Sequence, residues 1–164
     1  MKAILLNKFR QIKLLILDVD GVLTDGRLWY SADGEILKIF HAQDGLGIKR
    51  LLQAGVEIAI ISSRENQEAV FQRATELGIS HVFQGEHDKC IPYEKLLLQL
   101  KLNQKEVAYV GDDLPDLPVM QRVGVAIAVA NAVPLVLSSA HWSTKKCGGE
   151  GAVREVCDLI VPPI

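Results

Sequence analysis

The chain has 164 residues, enough for one compact domain with a sizeable core. Its residues are 49% hydrophobic but only 5% aromatic, which suits an aliphatic α/β interior and excludes a disordered chain. Eighteen basic and 20 acidic residues leave a net charge of −2 with no large basic block, so no general attraction to nucleic acid is implied.

In chain order, Lys13–Asp18 (KLLILD) is the first predicted strand. Its uninterrupted apolar run, Leu14–Leu17, is too short for a signal peptide and ends in Asp18, and nowhere is a stretch long enough to span a bilayer, so no membrane partner is expected. Next, Arg27–Gly45 holds two alternating stretches around Ala32-Asp33-Gly34, which predicts a β-hairpin insert over about 27–43. Asp44–Ala54 places Leu46, Ile48, Leu51 and Leu52 mostly on one side of a helix that Gly55 stops. Val56–Ser62 is a second strand, and Gln67–Leu77 a helix ending at Gly78. Pro92–Leu102 carries a Leu-rich helical stripe. Val107–Asp113 is a third strand, Pro115 opens a turn into Leu117–Val123, and Val123–Ala130 is a fourth strand. Gly151–Leu159 makes a last helix. The strands lack polar alternation, as expected when both faces are covered, and strands alternating with helices imply a parallel sheet with helices on both sides. The hairpin would then stand over the C-terminal strand ends, where open α/β sheets bind ligands.

Two acidic clusters follow buried strands. Asp18 and Asp20 end the first, and Gly111-Asp112-Asp113-Leu114-Pro115-Asp116 ends the third. Any lone Asp here would read as a turn residue. Carboxylates from two clusters at one rim repel in a poorly solvated place, and a divalent cation would relieve that cost. Oxygen donors without His or Cys favour Mg²⁺ over zinc. Ser62, ending the second strand, offers a hydroxyl to a phosphoryl oxygen; alone it would read as a helix cap. Lys89, after the polar QGEHD stretch, would alone read as a solvated lysine, but here it can neutralise a phosphoryl group. The three cysteines, Cys90, Cys147 and Cys157, form no CxxC pair and read as free thiols of a reducing cytoplasm.

DVDGVLTD, Ser62, Lys89 and GDDLPD occur in the order of the four motifs of the haloacid dehalogenase-like superfamily, and this resemblance covers the whole chain. The chain resembles more closely the 3-deoxy-D-manno-octulosonate 8-phosphate phosphatases, through LDVDGVLTDG, Asp44–Ile48, Tyr109–Met120 and Gly148–Asp158. The resemblance implies a single domain over 1–164 with a Rossmann-like α/β fold and no cap domain. It implies Asp18 as nucleophile, Asp20 as acid and base, and Ser62 and Lys89 as phosphoryl-binding groups. Mg²⁺ would be held by Asp18, the Asp20 carbonyl and Asp112. Of Asp113 and Asp116, one would support the metal through water and the other orient Lys89. Asp25 would shape the turn into the hairpin.

The same resemblance places substrate contacts at His41, Gln43, Asp44, Gly45 and Lys49, beside Asp20 and Lys89. Arg64 and Arg73 are candidates for gripping a sugar-acid carboxylate, with an exposed helix charge as the equal alternative for Arg73. Ser63 stands where that family has Gly, and would either crowd the phosphate loop or add a donor. A homotetramer is implied, in which Trp29, Tyr30, Ile36, Ile39 and Phe40 of the hairpin are covered. The expected reaction is hydrolysis of a phosphorylated sugar acid, 3-deoxy-D-manno-octulosonate 8-phosphate, in lipopolysaccharide synthesis. A nonulosonate 9-phosphate phosphatase is the near alternative. A dehalogenase is disfavoured by Asp20 and the GDD cluster, and a non-catalytic scaffold by the presence of all four motif positions.

Overall fold

In the computed structural model, residues 3–34 and 36–163 are described. Met1, Lys2 and Ile164 of the expected 1–164 domain, and Glu35 of the expected hairpin, lie outside them.

The first predicted strand is β1, Leu14–Leu17, and all four side chains are fully buried. Successive strand residues point to opposite faces, so complete burial means that both faces of the sheet are covered there. The other three predicted strands are also present: β4 (Glu57–Ile61), β6 (Val107–Gly111) and β7 (Val125–Ala128). Two strands were not foreseen, β5 (His81–Phe83) and β8 (Trp142–Ser143). Together these six form one parallel sheet in the order β5-β4-β1-β6-β7-β8.

Five helices match expectation within a few residues: α2 (Ala42–Gln53), α3 (Glu68–Leu77), α4 (Cys90–Leu100), α5 (Leu117–Met120) and α7 (Ala152–Ile160). Helices α1 (Ala3–Phe9) and α6 (Pro134–Ser139) were not predicted. Helix α2 packs along α7. The hairpin comprises β2 (Trp29–Tyr30) and β3 (Ile36–Leu37), paired antiparallel with Trp29 opposite Leu37. Its turn closes through the Gly34 N–H on the Ser31 carbonyl at 3.0 Å. It ends before the expected residue 43, because α2 already begins at Ala42.

What matters for a site is the sheet order. From β1 the chain passes to β4 and β5 on one side, then crosses back to β6 on the other. The order therefore reverses at β1, and loops leaving β1 and β6 diverge from a crevice at their C-terminal ends. Leu17 pairs with both Ile60 and Val110, so residues 18, 61–62 and 111–112 reach that rim together.

Because β1 is enclosed on both sides, Leu15→Ala should destabilise the fold by about 3 kcal/mol. Urea unfolding checks this, and a loss under about 1 kcal/mol would contradict the enclosure.

Candidate active site at the rim of the parallel sheet

Leaving β1, the chain turns at Asp18 and runs through one wide turn that closes with the Thr24 N–H on the Val19 carbonyl, 3.1 Å. Gly21 lies in that turn at φ +94°, and a Cβ there would come within 2.0 Å of Asp112 Oδ2. The missing side chain is thus what lets the loop after β1 lie against the loop after β6. The loop is backed by Gly148: a Cβ on Gly148 would fall 1.7 Å from the Gly21 carbonyl oxygen. The Gly149 N–H also donates to the Val22 carbonyl at 3.1 Å. The glycine-rich segment before α7 is therefore a close-packed support for this loop.

The two acidic clusters meet. One oxygen from each of Asp18, Asp112 and Asp116 lies within 4.8 Å of the others. Lys89 sits among them, its side chain 3% exposed, donating to Asp18 Oδ1 at 2.6 Å and Asp116 Oδ1 at 2.7 Å. It is not a solvated lysine. Burial works against its charge, but Asp18 and Asp116 outweigh that and raise its pKa.

Asp116 is the organising carboxylate. It accepts from Lys89, from the Tyr109 hydroxyl at 2.6 Å, and from the backbone N–H groups of Asp112 and Asp113 at 2.9 and 3.2 Å. Its four partners leave it little capacity for another ligand. Tyr109, buried in the middle of β6, has its pKa raised by burial and by Asp116, which keeps the phenol a donor. The sequence reading missed Tyr109; the available signal was a hydroxyl on a fully apolar strand, which needs a partner. Of the two residues left open, Asp116 is the one bound to Lys89. Asp113 is exposed and caps the turn Leu114–Asp116 through the Leu114 N–H, 2.7 Å.

Asp18 and Asp112 carry the unrelieved charge. Burial, then Asp116, raises the Asp18 pKa to about 6 against the opposing pull of Lys89. Burial, then Asp18 and Asp116, raises Asp112 to about 8. A paired, all-oxygen donor set whose protonation is forced upward is one that a hard divalent cation fits.

A cleft of about 250 Å³ opens over these groups, lined by Asp18, Asp20, Ser62, Ser63, Arg64, Lys89, Asp112, Asp113, Pro115 and Asp116. Ser62 is not a helix cap, since α3 starts only at Glu68; its Oγ accepts from the Arg64 N–H at 3.3 Å. The strand end is fixed by Ser62 N–H to the Phe83 carbonyl, 2.9 Å, and Glu86 N–H to the Ser62 carbonyl, 3.0 Å. The unforeseen β5 thus positions the Ser62 loop. The Ser63 hydroxyl turns to the Glu86 carbonyl at 3.2 Å, so it adds a bond rather than crowding the loop.

Asp20 stands at the cleft mouth between two cations. Arg64 Nε lies 3.2 Å from Oδ2, and Lys38 Nζ bonds Oδ1. Lys38 was missed. Along Ile36–Phe40 the residues alternate between half-buried Ile36, Lys38 and Phe40 and exposed Leu37 and Ile39, and that period of two places Lys38 on the inward face.

The remaining substrate candidates do not line this cleft. Asp44 is buried and caps α7, its Oδ1 accepting from the Arg154 N–H at 2.7 Å; burial raises its pKa. Gly45 packs beneath Arg73, which pairs with Glu76 at 2.7 Å and lies over the Phe40 ring. Gly45, Lys49 and Arg73 instead line a separate cavity of about 630 Å³ between α2 and α3. His41 immediately precedes α2, and Gln43 is exposed within it. Asp25 accepts from the Arg27 N–H at 2.9 Å and shapes the turn into the hairpin, as expected.

Comparison with known proteins agrees with this fold. A family model described as haloacid dehalogenase-like hydrolase matches residues 74–155. The 3-deoxy-D-manno-octulosonate 8-phosphate phosphatase KdsC of Escherichia coli is 48% identical over 159 residues, 97% of this chain and 84% of that protein. A crystal structure of the same-named phosphatase from Yersinia pestis superposes with a TM-score of 0.93 at 47% identity, covering 95% of this chain and 84% of that one. The corresponding Moraxella catarrhalis phosphatase, in complex with magnesium ion, phosphate ion and KDO, gives a TM-score of 0.94 at 42% identity, covering 98% and 92%.

The crowding has a measurable sign. Between about pH 4 and 8 the metal-free folded state holds protons on Asp18 and Asp112 that the unfolded chain has released, so its stability should fall as pH rises through that window. At pH 8 without metal, Asp112→Asn should therefore melt higher than the parent, by about 1 kcal/mol or roughly 3 °C. Added magnesium should raise the parent's melting temperature and leave the variant's nearly unchanged. A variant that melts lower without metal would contradict the repulsion.

Proposed function

The chain belongs to the haloacid dehalogenase-like hydrolases, within the 3-deoxy-D-manno-octulosonate 8-phosphate phosphatase family, and on that premise we propose that it hydrolyses this sugar-acid phosphate to the free acid and phosphate. The observation that carries the reading is the buried Asp18 carboxylate, held by Lys89 beside Asp112, with Asp20 at the mouth of the same cleft.

Asp18 attacks phosphorus, forming an oxygen–phosphorus bond as the bond to the sugar oxygen breaks. Asp20 gives its proton to that leaving oxygen. It then takes one from the water that cleaves the aspartyl-phosphate and regenerates Asp18, so one carboxyl serves both steps. Lys89 fixes the nucleophile's rotamer and carries positive charge towards the phosphoryl oxygens, and Ser62 and its neighbouring N–H groups line their seat. Asp18, Asp112 and the Asp20 carbonyl would hold Mg²⁺, which when bound offsets the repulsion between two anions brought together for reaction. Asp116 is assigned to Lys89 and not to the metal, because its oxygens are already engaged.

The whole chain, 1–164, is read as one domain, supported by a continuous core that runs from Phe9 to Ile160. The hairpin leaves Trp29, Tyr30, Leu37 and Ile39 half or more exposed, which supports a homotetramer that covers them. Unpaired Cys90, Cys147 and Cys157 support a cytoplasmic setting, and lipopolysaccharide synthesis is the process such a product would serve.

Phosphate release measured over phosphorylated sugar acids with magnesium should be fastest for the 8-phosphate named above; faster release from a nonulosonate 9-phosphate would reassign the substrate. Asp18→Asn and Asp20→Asn should each lower kcat by roughly 100-fold or more with the fold intact by circular dichroism. Ordinary turnover in either would overturn its role. Sedimentation at working concentration should give a tetramer, and a monomer would remove that proposal.

A further inference from the structure

We propose that Lys38 is a positioning residue for the reaction, reaching from the hairpin to hold the Asp20 carboxyl in place for proton transfer to the leaving oxygen. The inference rests on the assignment of Asp20 as acid and base, and goes beyond it by adding a residue outside the four motifs.

Lys38 follows β3 directly, yet its ammonium does not run to solvent as lysines on a hairpin ordinarily do. Its side chain is 2% exposed, while Asp20 remains 22% exposed on the cleft side. Lys38 contributes to the lining of two cavities, the one of about 630 Å³ between α2 and α3 and another of about 620 Å³ between the hairpin and the start of α3. The Lys38–Asp20 ion pair is a direct link from the hairpin to the loop that carries Asp20.

The geometry at Asp20 explains why such a link is useful. The residue belongs to a turn with irregular backbone, Asp20 at φ −76° and ψ 111° before left-handed Gly21. Its backbone does not dictate where the carboxyl points. Lys38 on Oδ1 and Arg64 on Oδ2 fix both oxygens, so the plane of the carboxyl is set from two sides. The Arg64 side chain is 42% exposed and its contact is open to solvent, whereas the Lys38 side chain is enclosed. Lys38 is thus the permanent half of the clamp. A misplacement of about 1 Å in a proton donor costs on the order of 100-fold in rate.

A residue acting through Asp20 must lose its effect once Asp20 can no longer transfer a proton. Lys38→Met keeps the stem and removes the charge. On the sugar-acid phosphate it should lower kcat by roughly 30- to 100-fold, with KM changed less than about threefold. In the Asp20→Asn background the same substitution should cost less than about threefold, because the two act as a unit. Lys38→Arg should recover most of the lost rate. With an aryl phosphate, whose leaving group needs no proton, the first-turnover burst of the aryl alcohol should be nearly unaffected. The proposal is overturned if Lys38→Met costs the same factor in both backgrounds, if it acts mainly by raising KM, or if the aryl burst falls as steeply as sugar-phosphate turnover. Should Lys38→Met not fold, Lys38→Gln takes its place in the same cycle. Unimpaired turnover in Asp20→Asn alone would instead refute the acid–base assignment, and is read separately.

Discussion

The site depends on a single electrostatic arrangement: three carboxylates gathered around one buried ammonium at the end of a fully enclosed strand. Lys89 cannot neutralise all three. It satisfies one oxygen each of Asp18 and Asp116, and Asp116 spends its remaining capacity on Tyr109 and two backbone N–H groups. That leaves Asp18 and Asp112 as the uncompensated pair, both with raised proton affinity. The residual negative charge is the reason a magnesium ion belongs in the site, and it is also the reason the metal-free site is a weak point of the fold.

Most of this was legible in the sequence because the sheet brings separated residues together by register. Each of the clusters at Asp18 and Asp112 follows an apolar run, and a parallel sheet necessarily aligns the C-terminal ends of its strands at one rim. What escaped was what does not show in local pattern. Strand β5 is only three half-buried residues and β8 only two, too short for any period to register. Yet β5 sets the Ser62 loop through Phe83. The substrate contacts assigned to the start of α2 were harder still. Asp44 and Gly45 are used for packing, the first capping α7 and the second making room for Arg73. This segment therefore supports the fold.

Two supports hold the catalytic loop, and they come from distant parts of the chain. From below, Gly148 and Gly149, just before α7, press against Gly21 and Val22. From above, Lys38 and Arg64 hold Asp20. Asp18 is therefore fixed by the rigid sheet and Lys89, whereas Asp20 is held in part from a hairpin whose outer face exposes Trp29, Tyr30, Leu37 and Ile39.

The most direct test is a crystal structure grown with magnesium and beryllium fluoride, a mimic of the phosphorylated carboxylate. The account predicts fluoroberyllate density attached to the Asp18 carboxylate, with one cation bridging Asp18 and Asp112 and Lys89 still on Asp116. Density on a different side chain, or a cation bound without contact to Asp112, would contradict it.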